Sequence, residues 1–199
     1  MMGLLVILAG VVYLLISLYL IKLAAGKARQ RGIAGWKWGA PAALGMYLLV
    51  FWDHLPTLIA RQYYCQKEAG FTVYKTLEQW KQENPGVAET LTYKKFSTSV
   101  RQDDGYLYHL NERFDSRVTN ERIFLSLRRT ATTIVDRANG EVLARYVDFR
   151  SGWGSLAIGA DTPREYKFWL VSGSCESDSE SRVLYYNFNY EISKIMEDK

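Results

Sequence analysis

The chain has 199 residues, 48% hydrophobic and 23% charged, with a formal net charge of +4 and a pI near 9.0. Where the charge lies argues against nucleic-acid binding: residues 1–59 hold five basic groups and one acid, whereas residues 60–199 hold 20 of each. The globular part therefore carries no surplus with which to attract phosphate.

From Gly3 to Ile21 there are 19 residues without a charge. At about 1.5 Å per residue, such a run can cross the apolar core of a bilayer. We assign residues 1–60 to a membrane anchor, with a first span at 3–25, a cytoplasmic loop at 26–36 and a second span at 37–59. The second segment reads WKWGAPAALGMYLLVFW, with Trp36 and Trp38 at one end and Phe51 and Trp52 at the other. Aromatic rings at both ends of an apolar run fit the two interfacial zones of a membrane. Small residues Gly39, Ala42, Ala43 and Gly45 would let this helix approach the first one, or a partner helix, closely.

Residues 26–38, the loop and the start of the second span, carry Lys27, Arg29, Arg31 and Lys37 and no acid, and the Met1-Met2 tail carries no charged side chain. By the positive-inside rule the loop faces the cytoplasm, and everything after residue 60 lies on the other side. A cleaved signal peptide is the rival reading. The missing basic start and the over-long apolar run speak against it, and it would export the same domain. Asp53 and His54 follow Trp52 at the edge of the second span. An ionisable pair there is a functional suspect, but water and headgroups could solvate both groups, so interfacial anchoring is the preferred role.

The two cysteines, Cys65 and Cys175, both fall on the outer side, where an even pair reads as a disulfide. Two buried thiols are the other reading. No Asn-x-Ser/Thr sequon occurs, which favours a bacterial periplasm over a secretory lumen.

Residues 61–199 read as a periplasmic α+β domain with an antiparallel sheet and flanking helices. Leu58–Lys67 continues helically, with Gly70 as a stop. Phe71–Lys75 alternates as a short strand. Thr76-Leu-Glu-Gln79 has capping-box spacing and opens a helix across Trp80 that ends before Asn84-Pro85-Gly86. Short strands follow between Leu91 and Leu127, the clearest being Tyr106–Leu110 after an Asp103-Asp104-Gly105 turn. Thr132–Phe149 is the strongest local signal: Asn139-Gly140 between two β-rich runs predicts a type I′ hairpin. A glycine loop containing Trp153 comes next, then a strand over Tyr166–Val171 and a polar loop holding Cys175. Ser177-x-x-Glu180 could cap a last helix with Leu184, Phe188, Ile192 and Ile195 on one face, although a strand suits the same tyrosine-rich stretch.

The search for chemistry returns no catalytic, cofactor or metal motif. Walker, Rossmann, nucleophile-elbow and zincin patterns are all missing. Cys175 with His109 is the sole nucleophile–base pair one could write, and it competes with the disulfide. Asp103, Asp104 and Asp115 could pair as acid and base, but two of them sit in a turn beside glycine.

Trp52-Asp-His-Leu-Pro-Thr57, Tyr63-Tyr-Cys65, Lys67-Glu-Ala-Gly-Phe71 and Val73-Tyr-Lys-Thr76 together resemble an uncharacterised family of proteobacterial two-helix inner-membrane proteins. The resemblance covers the membrane exit and implies a bacterial origin, with no activity attached. Two functions are compatible with these residues. One is a non-enzymatic accessory or immunity-type module whose partners are the bilayer and a protein of the membrane or periplasm. The other is an envelope enzyme or small-ligand sensor whose site lacks a linear motif.

Overall fold

The computed structural model describes residues 2–91, 99–152, 167–175 and 178–194. Trp153, Ser177 and Ile195, each given a role above, lie outside the described residues. The chain forms two compact units: Met1–Leu58 with Gly152–Val171, and Ile59–Ser151 with Ser172–Lys199.

The first unit is helical. Helix α1 runs over Met2–Gln30 and has the length and composition of a membrane anchor or a signal sequence. Only 6% of its most apolar stretch is buried, so it is no core helix. It extends five residues beyond the expected boundary at 25, which places Lys27 and Arg29 in its last turn, where cations favour the helix dipole. It ends in a Schellman motif: Ile33 N–H reaches the Ala28 carbonyl at 2.9 Å and Gly32 N–H the Arg29 carbonyl at 3.0 Å. Gly32, at φ +72°, supplies the left-handed residue this ending needs.

Helix α2 covers Trp36–Phe51. A Cβ at buried Gly39 would stand 3.5 Å from the Ala25 Cβ, so small residues do bring α1 and α2 together. The expected continuous span at 37–59 is not continuous. α2 stops, and helix α3, His54–Lys67, departs at 68°. Pro56 accounts for the break. It has no N–H to give the Trp52 carbonyl, and its ring would press on that carbonyl in an unbroken helix, whereas the first turn of α3 tolerates it. Among the described residues one helix, α1, is long and apolar enough to cross a membrane, and the bent α2–α3 pair qualifies only if taken together.

The second unit is α+β. Its six-stranded antiparallel sheet has the order β1-β6-β5-β4-β3-β2, from β1 Gly70–Val73, β2 Ser99–Gln102, β3 Gly105–His109, β4 Phe114–Phe124, β5 Leu127–Asp136 and β6 Val142–Ser151. Five consecutive strands form a meander and β1 is added on the far side of β6. Helix α4, Leu77–Glu83, has the predicted capping box: Thr76 Oγ1 accepts from Gln79 N–H, and Gln79 Oε1 accepts from Thr76 N–H. Helix α5, Asp178–Lys194, settles the last segment as helical. Its buried positions are Phe188 and Ile192, with Tyr185 beside them; Leu184, expected on that face, is exposed.

One face of the sheet packs Phe114, Ile134 and Ala144 against Trp80 of α4 and Phe188 and Ile192 of α5. The other face gathers Leu127, Ala131, Val147 and Phe149 under Tyr64 and the two cysteines.

Two local expectations change. The β5–β6 connection is a hairpin, but Gly140 N–H bonds the Asp136 carbonyl at 2.8 Å and Asp136 N–H bonds the Glu141 carbonyl at 2.8 Å, which makes a four-residue loop. Gly140 takes φ +75° while Asn139 does not leave negative φ, so the turn is not type I′. The Asp136 carboxylate binding Ala138 N–H at 2.9 Å favours this wider loop. Lys167–Val171, expected in a strand, closes instead into a 3₁₀ turn over Phe168–Leu170. Strand propensity alone does not hold a segment extended without a neighbour to pair with.

Candidate functional site

The Trp52-Asp53-His54 sequence occupies the break between α2 and α3. Asp53 is 2% exposed, so it is not the solvated interfacial acid that its position suggested. Its carboxylate accepts from Lys167 Nζ and, at 3.1 Å, from Trp169 Nε1. Lys167 also lies 5.9 Å over the Trp52 ring, and Trp169 meets Phe51 edge-on at 4.8 Å. His54 Nδ1 pairs with the Tyr47 hydroxyl at 2.7 Å. A buried carboxylate needs a cation and hydrogen bonds to stay charged, and the turn at 167–169 supplies both. Every polar partner of Asp53 is thereby engaged in holding the break, which makes it a structural tie within this unit.

Apart from Trp52, whose ring Lys167 overlies, the other residues picked from the sequence stay apart from this tie. Trp36, Trp38 and Trp52 are all exposed, as are Lys27, Arg29, Arg31 and Lys37. Arg31 stacks over Trp38 at 5.1 Å.

In the second unit Cys65 and Cys175 form a disulfide with 5.6 Å between Cα atoms. The Cys175 segment is held by three further contacts. Its N–H donates to Asp148 Oδ1 at 3.1 Å, and Arg61 donates to the carbonyls of Gly173 and Ser174 at 3.1 and 2.8 Å. Cys175 is thus no nucleophile for His109.

His109 lies 2.8 Å from Asp115, and Arg137 binds both. Burial raises the Asp115 carboxyl, but hydrogen bonds from Arg137 and His109 outweigh it and hold the group below the usual carboxylate range. A second carboxylate, Asp136, is fully buried, accepting from Trp80 Nε1 at 2.8 Å and pairing with Arg113 at 2.6 Å. Burial would raise it too, and Arg113, Trp80 and the Ala138 N–H bring it below its ordinary value. Both clusters pair their acids with an arginine. Among the described residues no group of three or more His, Cys, Asp or Glu is placed to hold a metal ion.

Asp136, Asp148, Lys167 and Trp169 escaped the sequence reading. Each matters through a partner more than 20 positions away. No linear spacing announces such pairs. No family model, curated protein or solved structure matches the chain.

Proposed function

We propose that this chain is a non-enzymatic accessory protein of a bacterial envelope, anchored in the inner membrane with its α+β unit in the periplasm, where it binds a protein partner. The observation that carries the reading is α1, whose apolar side chains are almost all exposed. Water penalises such a surface at about 25 cal/mol per Å² of apolar area, whereas lipid does not.

Three features support the finer statements. The basic residues between α1 and α2 and the end of α1 orient the anchor by the positive-inside rule. A disulfide persists in an oxidising compartment and fits a domain outside the cytoplasm. Asp136 and Asp148 are held in structural hydrogen bonds, in keeping with a unit that acts through its surface. The resemblance at the membrane exit agrees with an inner-membrane protein.

A reporter fused after Lys199 is expected to be active only when exported, and activity of a cytoplasm-restricted reporter there would overturn the orientation. Affinity recovery of the full chain from detergent-extracted membranes is expected to bring one protein at stoichiometric yield. Repeated recovery of the chain alone would overturn the partner.

A further inference from the structure

Helix α3 is amphipathic in the inverted sense. On its inner side Thr57 is buried, Tyr64 stacks on Phe149 at 5.4 Å, and Cys65 closes the disulfide. Arg61 is on this side too, and its guanidinium donates to the carbonyls of Gly173 and Ser174. The opposite side carries Leu55, Leu58, Ile59 and Tyr63, all exposed, with Ile59 at 69%. Residues three and four apart share one face of a helix, so these side chains form a continuous stripe. A helix lying in water shows the reverse, with its arginine outward and its isoleucine inward.

The place of the stripe in the chain identifies what covers it. Helix α3 begins at the break that ends α2, and it departs from α2 at 68°. Exposed apolar side chains continue through that break, from Leu44, Leu48 and Leu49 of α2 to Trp52 and then Leu55. Phe168, in the turn tied to Asp53, adds another exposed ring there. Beyond Ile59 the outer side of α3 becomes more polar, with Gln62, Tyr63, Gln66 and Lys67 all exposed. Lys67 Nζ lies 4.7 Å over the Tyr63 ring. A phenol beside an amine suits the headgroup zone, where the ring meets hydrocarbon and the cation meets phosphate.

We infer that α3 lies in the non-cytoplasmic headgroup layer of the membrane that holds α1, with Leu55, Leu58 and Ile59 in lipid and Lys67 toward water. The inference rests on the inner-membrane reading above. As a continuation of a span, α3 would need lipid on every side. Its inner side is instead fastened to protein by a ring stack, two hydrogen bonds and a disulfide. As a stalk in water, it would leave the whole stripe solvated, at a cost that grows with apolar area. An interfacial position satisfies both sides, and the sharp departure from α2 turns the helix toward the membrane plane.

The test uses the full, disulfide-bonded chain in phosphatidylcholine proteoliposomes. An environment-sensitive fluorophore is attached through Gln62→Cys, which keeps every residue of the stripe, or through Leu14→Cys in α1 as a reference for the anchor. The Gln62→Cys label is expected to be quenched several-fold more by a nitroxide near the lipid headgroup than by one at the end of the acyl chain. It is also expected to resist iodide in the water. The Leu14→Cys label should show the opposite depth preference. Leu55→Glu with Ile59→Glu is expected to lift the Gln62→Cys label out of lipid, with the disulfide, the far-ultraviolet circular dichroism and the Leu14→Cys signal unchanged.

Free access of iodide to the Gln62→Cys label would overturn the interfacial helix. Shielding from iodide and nitroxides alike would do so too, as the signature of a protein or a second copy over the stripe. Stronger quenching by the deep nitroxide would make α3 part of a broken span, and quenching that survives the double substitution would deny the stripe its role. Lipid quenching at Leu14→Cys without any at Gln62→Cys removes the interfacial helix alone. Its loss at Leu14→Cys would remove the inner-membrane reading as well.

Discussion

The two units bury opposite things. The first turns leucines, isoleucines and tryptophans outward and hides Asp53 and Thr57; the second hides Trp80, Phe114 and Phe149 and, apart from Asp136 and Asp148, keeps most of its charges at the surface. The second pattern is what water produces, because apolar area leaves it and charges stay solvated. The first pattern is its inverse, and in α1 it is the surface expected of a membrane anchor or a signal sequence. The comparison also shows that a buried acid is handled alike in both units. Asp53 has Lys167 and an indole N–H, and Asp136 has Arg113 and an indole N–H.

The largest way to separate the units is through the disulfide, which lies wholly in the second. Closing a loop over a sequence separation of 110 is worth about 4–5 kcal/mol in the chain-entropy model. Cys65→Ser with Cys175→Ser, or reduction of the native chain, should therefore lower the melting temperature of the sheet strongly. Far-ultraviolet circular dichroism in detergent should keep the signal of α1 and α2 through that transition. A joint collapse of helical and sheet signals would show that the first unit depends on the second.

The two acids give the next test. Asp136→Ala leaves a partly buried arginine and a fully buried indole N–H without their acceptor and is expected to cost about 3–5 kcal/mol. Asp53→Ala should cost less, because Lys167 is 34% exposed and can be solvated once its partner is lost. Equal losses would mean that the break between α2 and α3 is as tightly specified as the core. The pH dependence has a definite sign for the second unit. Asp136 and Asp115 are both lowered in the folded state. Their contribution is present above the unfolded carboxylate value, near 3.9, and is lost as pH falls through the folded values beneath it. Denaturant midpoints should therefore hold from neutral pH to about 5 and fall steeply below 4, and Asp136→Asn should blunt that fall.

How far these features could be read in advance follows from the range of each interaction. The capping box at Thr76 and Gln79, the β-rich hairpin around Gly140 and the apolar run of α1 are local, and the sequence displays them directly. The bend at Trp52–Asp53 is local as well: Pro56 signals it, but a run of apolar residues masks a proline when the run is scanned for length alone. The Asp53–Lys167, Trp80–Asp136 and Cys175–Asp148 contacts, by contrast, depend on topology that no spacing encodes.

The smallest effect compares a left-handed residue in each unit. Gly32, at φ +72°, ends α1, whereas the two-residue link between β4 and β5 puts Leu125 at φ +44°. A side chain at such φ costs roughly 1–2 kcal/mol, and glycine avoids most of that strain. Gly32→Ala should accordingly loosen the Schellman ending of α1 by about 1 kcal/mol. Leu125→Gly should instead stabilise the sheet by roughly 0.5–1 kcal/mol, because relief of strain in the folded turn exceeds the added freedom of the unfolded chain. Thermal melts of the full chain in one detergent can resolve the two signs. A fall in stability for Leu125→Gly would mean that the leucine side chain, half-buried at the end of β4, contributes more by packing than its backbone loses by strain. The link would then be a strained turn retained for its contacts, and the second unit would depend on packing even where its chain reverses.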